Sequence, residues 1–251
     1  MNDLFVRDLG AGVPVLVVHG GVFDGEGIWA RQFPLAERFH LLIPDRRGYG
    51  GSPDAEREDF AVDAGDIADL LGDGAHLVGP SYGGVVALLA AAQRPEAVRS
   101  LTVVEPPAFA LVRGQPAVEQ MLSGLHAWVT NMADATPETL LVSFMTMVGG
   151  DPARLPQPLT PALRRGAKML ANERMPDEAE IPLTVLAAAP FPKLVVSGGH
   201  SVPFDAVCDV LERDLPAERA VLAGRGHAVQ MTGEPFNERL AAFIEAAEAA
   251  R

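Results

Sequence analysis

The stretch His76-Leu77-Val78-Gly79-Pro80-Ser81-Tyr82-Gly83-Gly84-Val85 decides the fold. His76-Leu77-Val78 reads as a short strand, the next six residues as a glycine-rich turn, and Val85 to Gln93 as a helix. Strand, sharp turn and helix with a serine at the apex form the context of a nucleophile elbow. Side chains at positions 79 and 83 would strike the neighbouring strand and helix. The serine takes a strained conformation that exposes its hydroxyl.

Outward from the elbow, Val13-Pro14-Val15-Leu16-Val17-Val18, Leu101-Thr102-Val103-Val104 and Lys193-Leu194-Val195-Val196 are apolar runs without polar alternation. Strands covered on both faces have this character. Shorter runs lie at Leu41-Leu42-Ile43 and Arg219-Ala220-Val221-Leu222. Helical patterns at Ile28 to Phe39, Phe60 to Leu71, Val85 to Gln93 and Phe204 to Leu215 fall between several of them, and Asn237 to Ala249 predicts a closing helix. The alternation implies a mainly parallel sheet with right-handed crossovers. Between about Pro107 and Pro190 the rhythm breaks into Met-, Ala-, Leu- and Pro-rich helical stretches. The expected organisation is one α/β core from 1–106 and 190–251, with a helical cap inserted at 107–189.

With 251 residues, 48% of them hydrophobic, the chain can bury one sizeable core. Its formal charge of −13 and scattered basic residues exclude nucleic acid as an expected partner. No run approaches the ~18 apolar residues of a membrane span. Met1 to Asp8 lacks a basic region followed by an apolar run, so the expected compartment is the cytoplasm. The single cysteine, Cys208, excludes a disulfide framework within the chain and reads as a small apolar helix residue. The six histidines form no paired metal-ligand spacing, so no metal or other cofactor is expected.

Four motifs in order, His19-Gly20-Gly21, Asp45-Arg46-Arg47-Gly48-Tyr49-Gly50-Gly51-Ser52, the elbow, and Gly224-Arg225-Gly226-His227, resemble those of the α/β-hydrolase superfamily over nearly the whole chain. The resemblance implies an α/β fold with a mainly parallel central sheet and a serine hydrolase. Ser81 would be the nucleophile and His227, in a Gly-flanked turn after the last strand, the base. An oxyanion hole would come from the backbone N–H of Tyr82 and one from the His19–Val22 loop, assigned to Gly21 with Gly20 and Val22 as alternatives. Such donors contribute ~3 kcal/mol each. His19 is expected to pack beneath that loop, and Asp45 and Arg46 to form a structural turn with ion pairing.

The acid departs from the commonest family pattern. Where most members carry Gly-x-x-Asp after the strand matched by Lys193–Ser197, this chain has Gly198-Gly199-His200-Ser201. A minority, some lactone-cleaving enzymes among them, takes the acid from the end of the preceding strand, which here is Glu105. Asp205, then Asp209, and a Ser–His dyad without a carboxylate are the alternatives. His200 would line the pocket or bond to backbone.

The expected function is therefore hydrolysis of a carboxylic ester, lactone or thioester of a small molecule through an acyl-enzyme. Met121, Met132, Met145, Met147, Met169 and Met175 with Phe109, Trp128 and Phe144 suggest a hydrophobic substrate. C–C hydrolysis and perhydrolysis use the same serine machinery. Serine at 81 argues against dehalogenases and epoxide hydrolases, which need a carboxylate nucleophile. A non-catalytic ligand-binding protein on the same fold is the reading from another class, motivated by Ser201. Oligomeric state is not legible.

Overall fold

The computed structural model describes residues 3–224 and 226–251. Met1, Asn2 and Arg225, the last a member of the histidine turn named above, lie outside the described residues. In chain order the regular elements are β1 (Val6–Leu9), β2 (Pro14–Val17), α1 (Gly25–Trp29), β3 (His40–Pro44), α2 (Phe60–Leu70), β4 (Ala75–Pro80), α3 (Tyr82–Gln93) and β5 (Val98–Val104). Then follow α4 (Pro116–Asn131), α5 (Pro137–Met147), α6 (Pro161–Ala171), α7 (Leu183–Ala188), β6 (Lys193–Ser197), α8 (Val202–Asp214), β7 (Glu218–Val221) and α9 (Glu234–Ala249). The seven strands form one sheet in the order β1-β3-β2-β4-β5-β6-β7. Among the described residues only the β1–β3 pair is antiparallel. This is the α/β-hydrolase arrangement.

The apolar runs occupy the middle of the sheet because helices cover both faces there. On one face Leu16, Leu77 and Val103 pack with α2, α3 and α8 through Ile67, Val86 and Leu211. On the other, Val15, Val78 and Val196 pack with Trp29 of α1 and Phe236, Leu240 and Phe243 of α9. Burying one such side chain contributes ~1.5–3 kcal/mol relative to leaving it in water.

Two sequence expectations need correction. The helix predicted from Ile28 to Phe39 is the short α1 followed by a 3-10 stretch at Ala30–Glu37 with Pro34 inside it. Proline removes an N–H donor and clashes with the preceding turn, so a continuous α-helix cannot pass through that point. The edge strand β1, Val-Arg-Asp-Leu, was not anticipated. It is half-exposed and mixes charged with apolar residues, as an edge strand facing water on one side does.

The segment between β5 and β6 contributes no strand to the sheet. Its helices α5 and α6 enclose a separate apolar cluster of Leu140, Leu141, Leu155, Leu159, Leu163 and Leu170 that closes on Val22 of the β2–α1 loop. Gly166 makes the approach possible, since a Cβ there would lie 1.9 Å from the Val22 carbonyl oxygen.

Candidate active site

Ser81 stands alone between the end of β4 and the first residue of α3, with φ 51° and ψ −131°. A serine in that region costs ~1–3 kcal/mol and persists only where its surroundings over-determine it. They do so here. Ser81 N–H donates to the Val104 carbonyl at 2.8 Å, and its own carbonyl accepts from Gly84 N–H at 2.8 Å. A Cβ on Gly79 would lie 2.2 Å from the Gly83 carbonyl oxygen, and one on Gly83 would lie 2.4 Å from that of His19. Both glycines are therefore sterically required.

Glu105 follows β5 directly and has φ 45°. Its N–H donates to Val196 O at 3.0 Å, so the β5–β6 ladder runs one residue past the strand and fixes its backbone. The side chain is fully buried. Oε1 accepts from Gly198 N–H at 2.6 Å and Oε2 accepts from His227 Nδ1–H at 2.8 Å. His227 Nε2 faces Ser81 Oγ at 2.8 Å. An ionised carboxylate only accepts, so Nδ1 carries the imidazole proton and Nε2 offers its lone pair to the Ser81 hydroxyl. Burial pushes the Glu105 carboxyl up. The His227 hydrogen bond and charge, the Gly198 N–H and the charge of His200 outweigh it, leaving the group below its ordinary value.

Serine, histidine and glutamate thus form one hydrogen-bonded chain at the carboxyl ends of three strands. The alternative acids lie outside it. Asp205 pairs with Arg219 at 3.3 Å and Asp209 lies 3.7 Å from the same guanidinium. Ser201 is the N-terminal flanking residue of α8 and makes no side-chain cap bond. His200 places Nδ1 3.3 Å from Glu105 Oε1, so two histidines share one carboxylate. Phe204, which no motif flagged, stacks on the His227 ring with centroids 4.3 Å apart and fixes its plane.

The loop facing Ser81 is held from beneath. His19 is buried, with Nδ1–H donating to Gly20 O at 2.7 Å and Nε2 accepting from Arg46 N–H at 2.8 Å. Its pKa lies well below the ordinary value, through burial first and the Arg46 charge second. Arg46 Nη2 also donates to Gly20 O at 2.8 Å, while the guanidinium pairs with Glu58 at 2.5 Å and Asp63 at 2.6 Å. With the Gly20 carbonyl so anchored, the planar trans Gly20–Gly21 peptide directs the Gly21 N–H the opposite way, away from Arg46. The Gly21 carbonyl accepts from Phe23 N–H at 2.9 Å across Val22, whose φ of 74° belongs to this tight turn. Tyr82 N–H is the first of α3 and has no acceptor within the helix. Gly21 and Tyr82 both line the pocket that opens over Ser81.

A pocket opens over Ser81, Gly21, Tyr82 and His227. The remaining wall is almost entirely apolar, with Phe109, Met121, Leu125, Phe144, Met147 and Phe204, and the segment between β5 and β6 supplies most of it. A second lobe on the other side shares Gly21, Ser81, Phe144, Val148 and His227. One polar side chain in the first lobe, Glu173, carries no motif and was missed in the sequence. Among the described residues, no group of three or more His, Cys, Asp and Glu side chains is arranged to hold a metal, and no helix is long and apolar enough to cross a membrane.

Residues 13–234 match the family model described as alpha/beta hydrolase fold, and the chain belongs to that family, an enzyme of the hydrolase class. It is similar to the pimeloyl-[acyl-carrier protein] methyl ester esterase of Nitrosomonas europaea, at 30% identity over 91% of this chain and 94% of the relative. The enzyme of the same name from Aeromonas hydrophila is 29% identical, with 97% of each chain covered. Among solved structures, a thermophilic esterase from Thermogutta terrifontis shares the fold with a TM-score of 0.76 at 22% identity, covering 97% of this chain and 93% of the other.

Proposed function

We propose that this hydrolase cleaves carboxylic esters, lactones or thioesters of hydrophobic small molecules through a covalent acyl-enzyme on Ser81. The observation that carries the reading is the hydrogen-bonded chain Glu105–His227–Ser81 opening into an apolar pocket. His227 Nε2 takes the hydroxyl proton as Ser81 Oγ attacks the carbonyl carbon. The oxyanion is received by the Gly21 and Tyr82 N–H groups. The imidazolium, held by Glu105, then protonates the leaving oxygen or sulfur. Water repeats the sequence on the acyl-enzyme, with His227 again the base. The esterase names of the relatives support ester cleavage over C–C hydrolysis or perhydrolysis, and residues 107–189 act as the cap that keeps water from the acyl chain.

A fluorophosphonate probe tests the reading. Ser81 should be labelled in the wild type and not in Ser81→Ala. An unlabelled, folded wild type would refute it.

A further inference from the structure

The first lobe of the pocket contains a carboxyl group to which, among the described residues, no side chain or backbone N–H donates. Glu173, just after α6, lines the same pocket as Ser81, and its Oε2 lies 3.9 Å from where a Cβ on Gly21 would stand. Its backbone is fixed, because residues 58 and 173 form a bridge and Arg174 N–H donates to Glu58 O at 2.8 Å. The nearby cations are committed elsewhere. Arg46 is taken by Glu58 and Asp63, and Arg174 bonds Asp59 and Glu178 while its guanidinium lies 4.2 Å from the centre of the Phe60 ring. Tyr82 directs its hydroxyl to the Arg174 carbonyl, at 3.4 Å.

An ionised carboxylate here would face apolar walls and the charge of Glu58, which acts on it more strongly than Arg46 does. Burial first, then the Glu58 charge, push the Glu173 carboxyl well above the ordinary carboxylate range, against the weaker pull of Arg46. A neutral carboxyl both donates and accepts. Left unmatched in an apolar pocket, such a group weakens binding of a plain hydrocarbon chain and favours one carrying a complementary polar atom.

Resting on the serine-hydrolase reading above, we infer that Glu173 is a specificity-determining residue that hydrogen-bonds a neutral oxygen substituent, hydroxyl or oxo, on the acyl chain a bond or two from the scissile carbonyl. The position beside Gly21 sets that distance, since the loop carrying Gly21 receives the carbonyl oxygen. A carboxylate at the same place on the substrate is disfavoured by the apolar walls and by the Glu58 charge.

The test compares p-nitrophenyl butyrate with p-nitrophenyl 3-hydroxybutyrate on the full chain, as the wild type, Glu173→Gln and Glu173→Leu. The wild type should favour the hydroxy ester, and Glu173→Gln, which keeps a neutral donor and acceptor, should retain most of that preference. Glu173→Leu should lose about tenfold in the ratio of kcat/KM values, mainly through KM for the hydroxy ester, while its kcat/KM for the plain ester rises. A ratio unchanged within twofold between wild type and Glu173→Leu, or an equal loss on both esters, overturns the inference. Glutamine keeps the test decisive should leucine impair folding, because a Gln variant that loses the preference as fully as any other change would also refute hydrogen bonding by a neutral group. Failure of the wild type to turn over either ester, with Ser81 unlabelled, would instead sink the hydrolase reading and this inference with it.

Discussion

Replacing Glu105 by glutamine alters one atom and almost no volume, so its effect isolates charge and hydrogen-bond polarity. The carboxylate accepts at both oxygens, from Gly198 N–H at 2.6 Å and from His227 Nδ1 at 2.8 Å. Glutamine has only one acceptor oxygen. If that oxygen faces His227, the NH₂ group confronts the fixed Gly198 N–H, and a buried donor loses its partner at ~1–3 kcal/mol. If it faces Gly198, the NH₂ group points at His227 Nδ1, which must then accept. The second arrangement is favoured because the imidazole can exchange tautomers and the backbone cannot. It puts the His227 proton on Nε2, opposite Ser81, where no base remains. In either arrangement the imidazolium formed during attack loses a counter-charge at about 4 Å, worth ~4 kcal/mol at an effective dielectric of ~20. At 1.36 kcal/mol per tenfold, the expected fall in kcat is about 10³-fold, approaching about 10⁴-fold where the tautomer also switches. Steady-state kcat on p-nitrophenyl butyrate, with circular dichroism to establish the fold, measures it. Asp205→Asn is the control and should stay within about twofold. A folded Glu105→Gln enzyme with kcat within tenfold of wild type would refute the reasoning.

Three further outcomes are expected. Gly166→Ala should lower Tm although alanine usually gains ~1 kcal/mol over glycine in a helix, because the added methyl would sit 1.9 Å from the Val22 carbonyl oxygen; a higher Tm in a calorimetric scan would contradict the packing of α6 on that loop. Arg46→Met should cost ~3–5 kcal/mol in urea unfolding, since it strands the Glu58 and Asp63 carboxylates beneath the Gly20 carbonyl; a loss below ~1 kcal/mol would mean they are not uncompensated. The Glu105 carboxylate, held below its ordinary 4.5, adds stability that is whole above that value and fades as pH falls through the lower folded value. The stability gap between wild type and Glu105→Gln should therefore narrow on acidification below about pH 4.5, and a gap that widened would reverse the sign of the argument.

The sheet was legible because its central strands are buried on both faces, which writes uninterrupted apolar runs at Val15–Val18, Leu101–Val104 and Leu194–Val196. β1 was not, because a half-exposed edge strand of four residues has neither an apolar run nor a clean alternation. The elbow could be read because Gly79 and Gly83 are sterically compelled. Glu105 could be singled out only by setting the absent aspartate at Ser201 beside the carboxylate that ends β5; its positive φ is set by the β6 ladder and leaves no mark in sequence. Phe204 and Glu173 were invisible for a related reason. Their positions beside His227 and Gly21 arise where chain segments far apart meet, and no local spacing encodes such a meeting.

Glu105 and Ser81 sit one residue beyond adjacent strands whose hydrogen bonds continue past the strand ends, Ser81 N–H to Val104 O and Glu105 N–H to Val196 O. The spacing of Glu105 and Ser81 is thus a property of the sheet lattice and owes nothing to a flexible connection. The loop after β6, which would otherwise have to present an acid at position 201, is released from that duty. The loop itself stays constrained up to His200: a Cβ on Gly198 would lie 2.6 Å from the Gly226 carbonyl oxygen, Gly199 has φ 61°, and His200 keeps its Nδ1 3.3 Å from Glu105 Oε1. Position 201 alone is left idle, with no side-chain cap bond, so a different small residue there should leave the Glu105–His227–Ser81 geometry untouched.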